Sequence, residues 1–227
     1  MKTGLRTGQT GYMTEAARAA RKAADDSSAP TMHDERTLLE VDALQAGYGR
    51  PAMEPVSLRV RAGETIGIRG PNGCGKSTLL NALAGSARIF AGRVVRRPGL
   101  RVAHQHQNPL PLENVPLSGD ELLALTRASS RGVPGWIAPL LPRRLDRLSG
   151  GQLQFLQVWA CLRAPVDLVL LDEPTNNVDR AGIECMLAEI QRLRGRVAMV
   201  LTSHEPRFLE SVCDRILDMR ALDAAAA

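Results

Sequence analysis

Long apolar runs are missing from this 227-residue chain, and stretches such as Leu168 to Leu171 fall far short of the roughly 18 residues that a membrane span requires. No bilayer-crossing helix is expected. The N-terminus also lacks the apolar core of a secretory signal, which predicts a cytosolic chain. Aromatic residues make up 3% of the sequence, too few for the platform of rings on which single-stranded bases stack. The four cysteines, Cys74, Cys161, Cys185 and Cys213, lie too far apart for a CxxC metal or redox pair and are read as reduced thiols. Lysine is nearly absent: beyond Lys2 and Lys22 only Lys76 occurs, alone among arginines from residue 37 onward. A lysine kept in such company is expected where a compact ammonium cannot give way to a planar guanidinium.

What is present is ordinary globular material. At 44% hydrophobic and 23% charged residues, the chain has enough apolar mass for one domain with a real core. The 29 basic residues against 24 acidic ones leave +5, a mild excess that does not make a dedicated nucleic-acid surface. Residues 1–36 carry six basic and five acidic residues without apolar periodicity. They read as a disordered or weakly helical tail, with Met13 and Met32 as alternative starts. A second tail, rich in alanine, is expected at 221–227.

From Thr37 the texture changes. Short apolar runs at 38–44, 56–60, 65–69, 92–95 and 100–103 are separated by turn signals and predict a β-rich first half. A helix is expected to begin within Gly75-Lys76-Ser77-Thr78 and to stop at Gly85. Residues 108–147 hold six prolines, at positions 109, 111, 116, 134, 139 and 142, around one helix at 120–127. Together with the helix that follows, this makes a helical insert over about 108–160. The second half alternates helices at 150–163, 180–193 and 207–212 with strands at 168–171, 197–202 and 215–217. Alternation predicts an α/β layer with a parallel sheet, whose ligands gather at the C-terminal strand ends.

Three motifs fall at such ends. Gly70-Pro71-Asn72-Gly73-Cys74-Gly75-Lys76-Ser77 satisfies G-x-x-x-x-G-K-[ST], follows a strand and opens a helix. Its backbone N–H groups, with the amide of Thr78 behind them, are suited to phosphate oxygens, Lys76 to the β- and γ-phosphates, and Ser77 to Mg²⁺. The apolar run at 168–171 ends in Asp172-Glu173, where alternation sends the two carboxylates in different directions. Asp172 suits a magnesium ligand acting through water and Glu173 the group that polarises an attacking water. In Leu148-Ser149-Gly150-Gly151-Gln152, Ser149 and Gln152 form a capping box at a helix start that contains two glycines.

These motifs, in this order, closely resemble the ATP-binding cassette (ABC) family over about residues 38–218. The resemblance implies an α/β P-loop NTPase fold: an ABC-type nucleotide-binding domain over 37–220, with an antiparallel β subdomain, a mixed or parallel core sheet flanked by helices, and the small helical insert. It also implies roles. Tyr48 looks like the aromatic that stacks on adenine, and His204 like the histidine that contacts the γ-phosphate and aligns Glu173 with water. Gln107, with Gln105 as a competitor, looks like the glutamine that touches Mg²⁺. Asp179, after Asn176-Asn177-Val178, is expected to cross a dimer interface. Members of this family sandwich ATP between the Lys76 side of one chain and the Ser149-Gly150-Gly151 helix end of another. Two features depart from the usual pattern: Phe155 stands where Arg or Lys is common, and Asn176-Asn177 replaces the commoner small pair.

The function implied is the ATPase subunit of an ABC transporter, with ATP and Mg²⁺ as cofactors and a homodimer or paired cassette as its working form. It would sit on the cytoplasmic face of the cell membrane, engage an integral membrane permease through the insert, and serve a substrate-binding protein only indirectly, with no direct nucleic-acid contact. The stretch 100–118 looks like that of zinc and manganese importer ATPases. The alternative is a soluble ABC protein acting on ribosomes or DNA, and a nucleotide-gated regulator that barely hydrolyses is a third reading.

Overall fold

The computed structural model describes residues 34–106 and 116–219; Gln107 and the first eight residues of the proline-rich stretch, nearly all of the N-terminal tail and the alanine-rich tail lie outside them. Two sheets organise the chain. In the first, β1 (Thr37–Tyr48) pairs antiparallel with β2 (Arg50–Pro51), β3 (Val56–Arg61) and β5 (Arg88–Arg96). Being held on both edges, β1 extends four residues past its apolar run, which local sequence does not reveal. A bulge near Ala43, whose φ is 42°, shifts its register. A side chain at Gly92 would run into the carbonyls of Asp42 and Ala43, so the bulge needs glycine opposite it.

The second sheet is wholly parallel, in the order β6 (Val102–Gln105), β7 (Leu168–Leu171), β8 (Ala198–Thr202), β4 (Thr65–Arg69) and β9 (Arg215–Asp218). Every residue of β7 and β8 is buried, as expected for strands covered on both faces. Alternation divides them between two cores. Leu168 and Leu170 join Ile66, Val200 and the antiparallel sheet beneath α1 (Lys76–Ala84). Val169 and Leu171 join Met199 and Leu201 against α3 (Gly150–Arg163), α4 (Arg180–Leu193) and α5 (Pro206–Val212). A further helix, α2 (Gly119–Leu125), and two 3-10 turns at Ala138–Leu140 and Leu145–Arg147 pack on this second core.

Sheet order decides what meets at the C-terminal edge. Because β4, β8, β7 and β6 are successive neighbours, the segments that leave them emerge side by side: Gly70 onward, Ser203-His204, Asp172-Glu173 and Gln105. The four segments come from positions up to 134 residues apart in sequence, between Gly70 after β4 and His204 after β8.

Candidate functional site

The loop after β4 folds around left-handed glycines. Gly73 and Gly75 take φ of 84° and 96°, values that side chains rarely adopt, and a Cβ on Gly75 would sit 2.5 Å from the Cβ of Met53. Gly75 opens α1 without any side-chain cap, so the first-turn N–H groups are left to other acceptors. Lys76, 8% exposed, donates to the carbonyls of Gly70 at 3.0 Å and Pro71 at 3.1 Å. Its ammonium meets only neutral oxygens there, a charge held ready over the loop. A recess of about 320 Å³ is lined by Asn72, Gly73, Gly75, Lys76, Ser77, Thr78, Asp172 and Glu173. On the other side of the loop a recess of about 550 Å³ is lined by Gly70, Pro71, Asn72, Ser203 and His204. Cys74 is half-buried with a free thiol, as are the other three cysteines.

The two carboxylates leave β7 in different directions. Asp172 Oδ1 accepts from the Thr202 hydroxyl at 2.8 Å. Glu173 takes φ of 50°, a strained setting for a side chain of its kind, and Oε2 lies 2.8 Å from His204 Nδ1 and accepts the His204 backbone N–H at 3.2 Å. A carboxylate only accepts, so Nδ1 carries the proton in this contact. Gln105, 3% exposed, is committed elsewhere: its Oε1 accepts from the Asp172 N–H at 3.2 Å and its Nε2 donates to the His106 carbonyl at 2.7 Å. Sequence reading missed two partners of the acidic pair, Thr202 and Gln154, whose Nε2 donates to the Glu173 carbonyl at 3.3 Å. The only signal for Thr202 is a hydroxyl closing the apolar run Ala198 to Leu201.

The capping box is formed as expected. Ser149 Oγ accepts from the Gln152 N–H at 3.2 Å, and Gln152 Oε1 accepts from the Ser149 N–H at 3.0 Å. The two glycines differ sharply. A Cβ on Gly150 meets nothing within 4 Å, whereas one on Gly151 would strike the carbonyl of Asn177. Asn177 itself has φ of 60°, which asparagine tolerates better than most residues, a physical reason for the second of the two unusual asparagines. Asp179 caps α4, accepting from the Gly182 N–H at 2.7 Å. Phe155 is wholly buried, with the Trp136 ring tilted against it at a centroid distance of 4.7 Å and the Trp159 ring stacked on it at 5.6 Å. It has become core where the family pattern has a cation.

These contacts predict opposite outcomes for neighbouring substitutions. Gly151→Ala is expected to destabilise by about 1–3 kcal/mol, because the Asn177 turn must move. Gly150→Ala should leave stability within about 0.5 kcal/mol, apart from the small propensity gain of alanine in a helix. Denaturant midpoints of the two variants check this; equal midpoints would contradict the packing.

A recess of about 390 Å³ is lined by Trp136, Ser149, Gly151, Gln152, Asn177, Val178 and Asp179 and shares no residue with the Lys76 recess. Within one chain the two glycine-bearing motifs therefore build separate hollows. Tyr48 stands 61% exposed at the end of β1 and lines neither. Burial, then the neighbouring His106 charge, pushes the pKa of His104 down to about 4.

Residues 53–176 match the ABC transporter domain family. The zinc import ATP-binding protein ZnuC of Jannaschia sp. (strain CCS1) is 34% identical over 194 residues, covering 80% of this chain and 78% of that protein. The solved structure of an ATP-binding subunit of an ABC transporter superposes with a TM-score of 0.67 at 23% identity, over 80% of this chain and 85% of that one. A chain in a complex of an archaeal ribosomal stalk protein with an archaeal ribosome recycling factor gives 0.66 at 27% identity, over 85% of this chain but 39% of that one.

Proposed function

We propose, for a chain that belongs to the ABC transporter family and is one of its ATPase subunits, that ATP hydrolysis at a two-chain interface drives a separate membrane permease importing a divalent metal ion, with zinc as the first candidate. The observation that carries the transporter reading is coverage: the zinc-import relative matches along 78% of its length, the chain from the ribosomal stalk protein–recycling factor complex along 39%.

The site supports the following division of labour. Amides of Gly73, Gly75, Lys76 and Ser77 take phosphate oxygens, with Pro71, Asn72, Cys74 and Thr78 shaping the loop. Lys76 exchanges the Gly70 and Pro71 carbonyls for phosphate oxygens. The Ser77 hydroxyl and Asp172 carboxylate line one recess and form an all-oxygen donor set that suits Mg²⁺, to which Gln107 would be added. When bound, Mg²⁺ neutralises charge developing on the transferred phosphoryl group. Glu173 orients the attacking water, and His204 holds Glu173 in place. Tyr48 covers the adenine.

The separate recess at Ser149 and Gly151 supports a head-to-tail pair, in which the signature helix of one chain completes the Lys76 recess of the other. Asp179, already bound to its own helix end, lines that same recess and would meet the partner. Among the described residues no helix is long and apolar enough to cross a membrane, so the permease would be a separate chain that this one joins at the cytoplasmic face. The proline-rich insert after Gln107 is the proposed point of attachment.

Co-expression with the membrane subunit encoded nearby tests this. A chain starting at Met32 should co-purify with it, and replacing residues 110–118 by a Gly/Ser linker should abolish co-purification while ATPase activity persists. Sedimentation of the truncated chain with ribosomes, and no membrane partner, would overturn the transporter reading.

A further inference from the structure

Thr202 ends β8 with no exposed surface, flanked by β7 and β4, and faces Ile68 in the parallel register. The bland account of a threonine here is a β-branched strand residue, a role that valine fills equally well. The hydroxyl is what valine lacks. Its single proton goes to Asp172 Oδ1 at 2.8 Å, and its oxygen accepts the Glu173 N–H at 2.9 Å. One atom thus grips both members of the acidic pair, from a neighbouring strand and across 29 and 30 residues of sequence.

We propose that Thr202 is a positioning residue for ATP hydrolysis: it orients the Asp172 carboxylate and pins the backbone of Glu173 in the left-handed setting that brings its carboxylate to His204. The proposal rests on the catalytic reading of Glu173. At φ of 50° Glu173 needs an anchor, and its N–H is buried, so losing the acceptor leaves a donor unpaired in the sheet. A shift of a few tenths of an ångström there is carried directly to the carboxylate that contacts His204 Nδ1 at 2.8 Å. Thr202 does not line the Lys76 recess, so nucleotide affinity does not depend on it.

Steady-state ATPase measurements on the full chain separate this role from packing. Thr202→Val should lower kcat roughly tenfold to a hundredfold with ATP affinity within about twofold, since misplaced catalytic groups act on chemistry rather than binding. Thr202→Ser, which keeps the hydroxyl and loses the methyl, should recover kcat to within about threefold of wild type, because donor and acceptor are both retained. The Mg²⁺ concentration for half-maximal rate should rise in Thr202→Val and not in Thr202→Ser. Should the valine variant fail to fold, Thr202→Cys, with a poor donor of similar size, must show the same kcat loss. In a Glu173→Gln background at saturating Mg²⁺, where the Asp172 arm no longer limits the rate, Thr202→Val should cause no further loss. Wild-type kcat in Thr202→Val, equal losses in the valine and serine variants, or additive losses with Glu173→Gln would each overturn the proposal. A fully active Glu173→Gln would instead sink the reading of Glu173 itself.

Discussion

Glu173→Gln binds ATP with undiminished affinity, loses most of its turnover, and elutes as a dimer in Mg-ATP where the nucleotide-free chain elutes as a monomer. The substitution preserves shape at a site only 6% exposed, and the amide oxygen still accepts from His204, so the local fold is kept. What disappears is a carboxylate able to polarise water. Losing a positioned base of this kind lowers rates by about 10²–10⁴-fold. The phosphate-binding loop and the signature helix are untouched, hence ATP still joins two chains, and without hydrolysis the pair accumulates. Size-exclusion chromatography with a turnover assay checks both halves. A variant that stays monomeric at saturating ATP, or that turns over like wild type, contradicts the role of Glu173.

Lys76→Arg fails almost as badly as Lys76→Ala. Charge is conserved in the first and lost in the second, so their similarity would show that shape decides. The Lys76 ammonium lies 3.0 and 3.1 Å from two loop carbonyls on a side chain 8% exposed. A guanidinium is planar and broader, with donors in a fixed fork, and cannot occupy a pocket closed around a point charge. Expected ATP affinity falls by roughly 10²-fold in both variants, the scale of a lost charge-assisted contact of about 3 kcal/mol. Isothermal titration with ATP measures it. Near-normal affinity in Lys76→Arg would mean that the lone lysine reflects composition and not geometry.

Elements with local signals were legible in the sequence. The capping box at Ser149 and the cap at Asp179 announce their helices, and Gly150–Arg163, Arg180–Leu193 and Leu168–Leu171 run as the pattern predicts. Elements whose limits depend on distant partners were not. β1 and β5 are lengthened by pairing with each other, and β6 starts at Val102 and not Leu100 because Gly99, at φ of 74°, belongs to the turn before it. The resemblance implied a common site for Lys76, Asp172, Glu173 and His204, but the order of strands that brings their segments to one sheet edge is set by pairing between distant segments and shows only in the fold. The hydrogen bonds that hold the acidic pair were not, because Thr202 and Gln154 look like a strand former and a helix filler until β7, β8 and α3 are folded against one another. Phe155 shows the reverse: its departure from the family pattern is plain in sequence, and its reason, the space between two tryptophans, appears only in the packing.

Hydrolysis by this chain is expected to power metal uptake. The deciding measurement is zinc entry into proteoliposomes that hold the chain with its co-expressed permease, supplied with Mg-ATP on the side where the chain sits. Uptake that requires ATP and vanishes with Glu173→Gln is the result predicted. Uptake that proceeds equally with Glu173→Gln, or a chain that hydrolyses ATP normally while joining no permease and moving no metal, would contradict it.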